Sequence, residues 1–213
     1  MRKAQYGPPG RVAGNLRQPQ PRGDDDAMSD ELLIRLADPD RDARAVADIY
    51  RPSVESGLAS FEEVAPDAAE MKDRILTTLA ATPWLVAELG GRVVGYAYAG
   101  PHHARPGYRW SVNVSVYVAE GQAGRGIGRR LYRELFATLA RQGFVNVYAG
   151  VTLPNDASVA LHRSMGMERV GIYRRVGFKF GAWHDVAWYA LRLTKPPVPP
   201  PPPIPLPDLD PGH

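Results

Sequence analysis

The chain has 213 residues, 44% hydrophobic and 23% charged, an ordinary globular composition with room for one substantial core. It has no cysteine, which excludes disulfides and thiolate metal sites, and no apolar run long enough to cross a bilayer, so no membrane partner and a cytoplasmic location are expected. The formal charge is +3, but residues 1–27 carry five basic and three acidic side chains, leaving +1 for the rest and no footprint for nucleic acid.

Residues 1–28 are rich in Gly, Pro, Gln and Arg without apolar periodicity, so they are expected to be a disordered extension. Met28 also offers an alternative translation start. One domain is expected over residues 29–195. It opens with a strand over residues 32–36, followed by a helix over residues 40–49 with Ala43, Val46, Ala47 and Ile49 on its apolar side. Met71, Ile75, Leu76 and Leu79 mark a second helix, stopped by Pro83. Two strands joined at Gly90-Gly91 then form a hairpin, because such a turn tolerates positive φ. Residues 110–118 form the next strand.

That strand runs into Gln122, Gly124, Gly126 and Gly128 and then an amphipathic helix with Ile127, Leu131, Leu135 and Leu139 at four-residue spacing. A glycine turn opening a helix is an anion cradle, because its backbone N–H groups and the helix dipole bind negative charge without a side-chain ligand. A nucleotide P-loop would need a Lys-Ser/Thr pair after Gly128 and a dinucleotide fingerprint would need glycine where Arg129 stands, so a merely structural turn is the stronger alternative. Gly143 ends the helix, residues 146–151 return as a strand, and Asn155 opens a short helix closed by Gly166. Two last strands, around Ile172 and over residues 183–193, complete an α/β chain with a mixed sheet in the order β-α-α-β-β-β-α-β-α-β-β. Residues 196–213 form a proline-rich tail, expected to be extended and solvated.

Pro83-Trp84-Leu85-Val86-Ala87-Glu88, Tyr98-Ala99-Gly100-Pro101, Val116-Tyr117-Val118 with its glycine turn, Leu153-Pro154-Asn155-Asp156, Gly177-Phe178-Lys179 and Trp183-His184-Asp185-Val186 stand in an order that resembles the phosphinothricin acetyltransferase branch of the GNAT superfamily of N-acetyltransferases. The resemblance implies a sheet splayed between its fourth and fifth strands, with acetyl-coenzyme A (acetyl-CoA) in the gap. Val116, Tyr117 and Val118 would lie along the pantetheine, Ala123, Gly124, Arg125, Gly126, Ile127 and Gly128 on the pyrophosphate, and Asn155 nearby. The acceptor it implies is a small-molecule amine and the assembly a homodimer. Arg105 and Tyr108 match the family's A-R-x-x-Y segment, where a guanidinium suits a substrate carboxylate, and Phe61 and Lys179 fall in segments that would close the same site.

Acetyl transfer needs a neutral amine, although an alkylamine of pKa about 10 is mostly protonated at neutral pH, so a base is required. The leaving thiol, of pKa about 8.5, needs less help. The resemblance puts His162 where many members carry a catalytic tyrosine. It also puts Asn113 where the family carries its glutamate base, and an amide accepts no proton at physiological pH. His162, another carboxylate such as Glu55 or Glu62, or a less basic substrate would then fill the gap. Acceptors of the protein N-terminus or polyamine class, or an acyl-CoA-binding module without turnover, are the alternatives. His102-His103 is assigned no metal, because neighbours in an extended chain point oppositely.

Overall fold

The computed structural model describes residues 31–210, so the expectations for residues 1–28 fall outside the described residues. In chain order the elements are β1 (Leu33–Leu36), α1 (Pro39–Glu55), α2 (Ala68–Leu79), β2 (Trp84–Leu89), β3 (Arg92–Pro101), β4 (Ser111–Val118), α3 (Ile127–Gln142), β5 (Asn146–Thr152), α4 (Asp156–Ser164), β6 (Glu168–Lys179) and β7 (Ala182–Arg192). This is the expected order. The strands form one sheet, β1-β2-β3-β4-β5-β7-β6, antiparallel except where β4 meets β5.

Side-chain alternation along the central strands divides the interior in two. Leu85, Ala87, Ala97, Ala99, Val112 and Val114 point to the face covered by α3, where Leu131, Leu135 and Leu139 bury their stripe. Trp84, Val86, Tyr96 and Tyr117 point to the face covered by α1 and α2, against Val46, Tyr50, Val54, Met71 and Ile75. β4 therefore contributes to both cores through alternate residues.

The first helix runs six residues beyond its expected end, through Pro52 to Glu55. Asp38 starts it by accepting from the N–H groups of Asp40 and Arg41, and Pro39 fits the first turn, where its missing N–H costs nothing. The proline-rich tail is docked rather than solvated. Trp110 Nε1–H donates to the Pro201 carbonyl (2.7 Å), Ile204 N–H donates to the Gln142 carbonyl (2.8 Å), and Gln142 Nε2–H donates to the carbonyls of Ile204 and Ala81 (both 2.8 Å). Expectation from composition alone missed these partners, because they lie some sixty to ninety residues away in sequence.

Candidate active site at the fork between β4 and β5

β4 and β5 pair at only three positions, Ser111 with Asn146, Val112 with Val147 and Asn113 with Tyr148, and then part. The expected splay is present, with its apex at Asn113. On the other side β4 stays paired with β3 to its end. His102 N–H donates to the Ser111 carbonyl (3.2 Å) and Ala119 N–H to the Val94 carbonyl (2.9 Å), so odd-numbered residues of β4 turn their backbone groups to β3. The even-numbered Val114, Val116 and Val118 therefore turn theirs to the parted side, where no strand among the described residues meets them.

The glycine turn lies at the open end of this fork. Gly124 and Gly126 sit at φ 77° and 76°, a region that side-chain-bearing residues avoid. Gly126 caps α3 without a side chain, so the N–H groups of the first turn remain available to an anion. Val116, Tyr117, Val118, Ala123, Gly124, Gly126, Ile127, Gly128 and Asn155 all line one cleft of about 590 Å³, with Gln122, Arg129 and Ser158 beside them. Arg125 is not in the lining; its guanidinium donates to Gln122 Oε1 (2.7 Å). This donor set, open backbone amides along a strand leading to an anion cradle, fits the pantetheine and pyrophosphate of acetyl-CoA.

A narrow continuation of about 60 Å³ runs inward between β4 and β5, reaching Ser115, Gly150, Tyr132 and His162. His162 is 3% exposed. Its Nδ1 lies 2.7 Å from the Ser158 carbonyl, which can only accept, so Nδ1 carries the ring proton and Nε2 accepts from the Tyr132 hydroxyl (3.1 Å). Burial pulls the imidazole below its ordinary pKa, only partly opposed by the bond to Ser158, and burial drives the Tyr132 phenol far above its own. The pair is neutral at pH 7. Tyr132 was invisible as a site residue in the sequence because it lies inside the apolar stripe of α3.

On the opposite face of β4 the side chain of Asn113 meets His102, with Asn113 Oδ1 2.8 Å from Nδ1. The His102 ring lies flat on Tyr148 (centroids 4.4 Å) and edge-on to His103 and Trp188. Both carboxylates suggested as bases are committed elsewhere. Glu55 ends α1 beside Arg51 (3.4 Å). Glu62 takes two hydrogen bonds from Arg74 (2.8 and 2.9 Å) and one from the Tyr50 hydroxyl, and these hold it below the usual carboxylate range.

Phe61 and Lys179 do not line the cleft but stand behind Ser53 and Ala59, which do. Lys179 is buried and donates to the carbonyls of Ser53 (3.1 Å) and Ser60 (2.6 Å), tying the β6–β7 hairpin to the loop between α1 and α2. Phe61 rests on Gly177, where a Cβ would come within 2.2 Å of its ring. Arg105 and Tyr108 do not line this cleft; both are exposed on the β3–β4 loop and line a separate hollow with Thr77, Thr78 and Phe144, Tyr108 also packing beside His102 and His103. No group of three or more metal-ligating side chains occurs among the described residues. No helix among them is long and apolar enough to cross a membrane.

The model of the acetyltransferase (GNAT) domain matches residues 34–188. The chain belongs to the GNAT acetyltransferase family. As a GNAT enzyme it is an N-acetyltransferase that uses acetyl-CoA. It is 39% identical over 160 residues to the phosphinothricin N-acetyltransferase of Streptomyces viridochromogenes, covering 74% of this chain and 87% of that one. It is 34% identical to the L-methionine sulfoximine/L-methionine sulfone acetyltransferase of Salmonella typhimurium, over 79% of this chain and 98% of the relative. The crystal structure of a GNAT superfamily phosphinothricin acetyltransferase from Sinorhizobium meliloti in complex with acetyl-CoA superposes with a TM-score of 0.73 at 37% identity, covering 78% and 93% of the two chains.

Proposed function

We propose that this GNAT enzyme moves the acetyl group of acetyl-CoA to the α-amino group of a small amino-acid-like acceptor of the phosphinothricin or methionine sulfoximine type. The observation that carries this reading is the tie between the β6–β7 hairpin and the segment Ser53 to Ser60, whose Ser53 and Ala59 line the cleft. Lys179 and Phe61 lock the hairpin and the α1–α2 loop together, which suits a small acceptor better than a protein N-terminus. The curated relatives named for phosphinothricin and for methionine sulfoximine or sulfone support an acceptor of that class.

In this reading the even-numbered backbone groups of β4 and the amides at the head of α3 hold and orient the acyl donor. Tyr132 turns its hydroxyl from His162 toward the departing sulfur and donates a hydrogen bond there. Until then His162 Nε2 accepts from that hydroxyl and keeps it beside the fork, and the bond is given up when the hydroxyl turns to the sulfur. A thiolate of conjugate pKa about 8.5 needs such a bond more than a full proton transfer, which suits a phenol whose proton is tightly held.

A thiol-release assay with phosphinothricin, methionine sulfoximine, ordinary amino acids, a polyamine and a peptide N-terminus tests the acceptor class. Turnover should concentrate in the first two; equal or greater turnover with the peptide overturns the reading. We further propose a cytoplasmic homodimer, supported by the exposed apolar row Val170, Tyr173, Val176, Phe178 and Trp183 on the β6–β7 hairpin. Light scattering at the mass of one chain would refute the dimer.

A further inference from the structure

We infer that His102 is the general base of this enzyme, oriented by Asn113, which stands in place of the family's glutamate. The inference rests on the proposed acetyl transfer to an amine and adds the group that accepts the amine's proton. Asn113 Oδ1 has no proton to give, so the 2.8 Å contact fixes the proton of His102 on Nδ1 and leaves the Nε2 lone pair without a partner among the described residues. Stacking on Tyr148 holds the ring plane, and Tyr148 is the residue paired with Asn113 at the apex of the fork.

The placement suits the task. Asn113 and Ser115 lie on the same face of β4, and Ser115 lines the inner cleft about 7 Å further along the strand. His102 is partly exposed. His162 is not comparable, since a carbonyl occupies its Nδ1 and a hydroxyl its Nε2. The titratable side chains packed on the His102 ring are His103, Tyr108 and Tyr148.

The step balances as follows. His102 Nε2 takes one proton from the substrate ammonium, and the freed lone pair of the amine forms the C–N bond to the acetyl carbon as the C–S bond breaks. The nitrogen then sheds a second proton and the departing sulfur gains one. The net proton released leaves through His102 to solvent.

The test is kcat and kcat/KM from pH 6 to 10.5 for the parent, His102→Ala, His102→Gln and the double variant His102→Ala/Asn113→Glu, with thermal melts to establish folding. Loss of a general base should lower kcat about a hundredfold near pH 7 with KM for acetyl-CoA unchanged. The deficit should shrink toward pH 10.5, where the amine is already neutral, and Asn113→Glu should restore most of the rate by returning a carboxylate base to the apex. His102→Gln should share the deficit while keeping the bond to Asn113, so the test survives an unstable alanine variant. Parental rates in the histidine variants, or a loss equal at every pH and unrelieved by Asn113→Glu, overturn the inference. Failure of the parent itself with every small amine would instead overturn the acetyltransferase reading for those acceptors.

Discussion

Two histidines stand within reach of the fork, and their hydrogen bonds assign them different work. His162 is shut in with Tyr132 and Ser158, whereas His102 has one nitrogen fixed by Asn113 and the other without a partner among the described residues. If His162 serves only to hold the Tyr132 hydroxyl, the two residues act as a unit. Tyr132→Phe and His162→Ala should each lower kcat about tenfold, and the double variant should lose little more than either alone. A double-mutant cycle on kcat checks this, and additive losses would separate the two residues. The sequence pointed to His162 through its place in a motif, but Tyr132 at core spacing looked like any other buried aromatic. The sequence offered His102 only as a metal ligand beside His103; its contact with Asn113, eleven residues on, exists only through the antiparallel register of β3 and β4.

β4 organises the site because its residues alternate between faces and its backbone groups between neighbours. Its even residues turn apolar side chains to the α3 core and backbone groups to the fork, while its odd residues carry Asn113, Ser115 and Tyr117 toward α1 and α2. That much was legible in the apolar spacing and the glycine turn. The closure of the site was not, because it depends on Lys179 reaching two carbonyls more than a hundred residues earlier in the chain. Through Glu62 the same α1–α2 loop is tied to α2 by Arg74 and to α1 by Tyr50. Arg74 lowers the pKa of Glu62 below its ordinary 4.5, so in acid the unfolded chain takes up the proton first. The stability this pair contributes is therefore complete above pH 4.5 and lost as pH falls through the depressed folded value. Arg74→Met should lower the melting temperature at pH 7 and flatten its decline below pH 4.5 relative to the parent. Melts across pH 3–7 measure it, and parallel curves would remove Glu62 from the acid response.

For the molecule as a whole, the fork must open at one end while staying closed at the other, and the tail fastens the closed end. Trp110 immediately precedes β4, and its carbonyl accepts from the N–H groups of Val145 and Asn146 where β5 begins. The Pro201 carbonyl accepts from the Trp110 indole, and the segment around Ile204 caps Gln142 at the end of α3. Gln142 has no exposure to solvent, so its amide relies on these carbonyls in place of water. Removing residues 196–213 strips one of its two acceptors and the partner of its backbone carbonyl. A buried group left unpaired costs about 1–3 kcal/mol, less whatever water recovers once the tail is gone. The truncated chain should therefore melt several degrees lower, with ~2–4 °C expected per kcal/mol for a domain of this size. Gln142→Ala should destabilise the full chain more than the truncated one, because the tail contact it removes is already missing from the latter. Equal melting temperatures with and without the tail would mean that the docked prolines contribute nothing to holding the closed end.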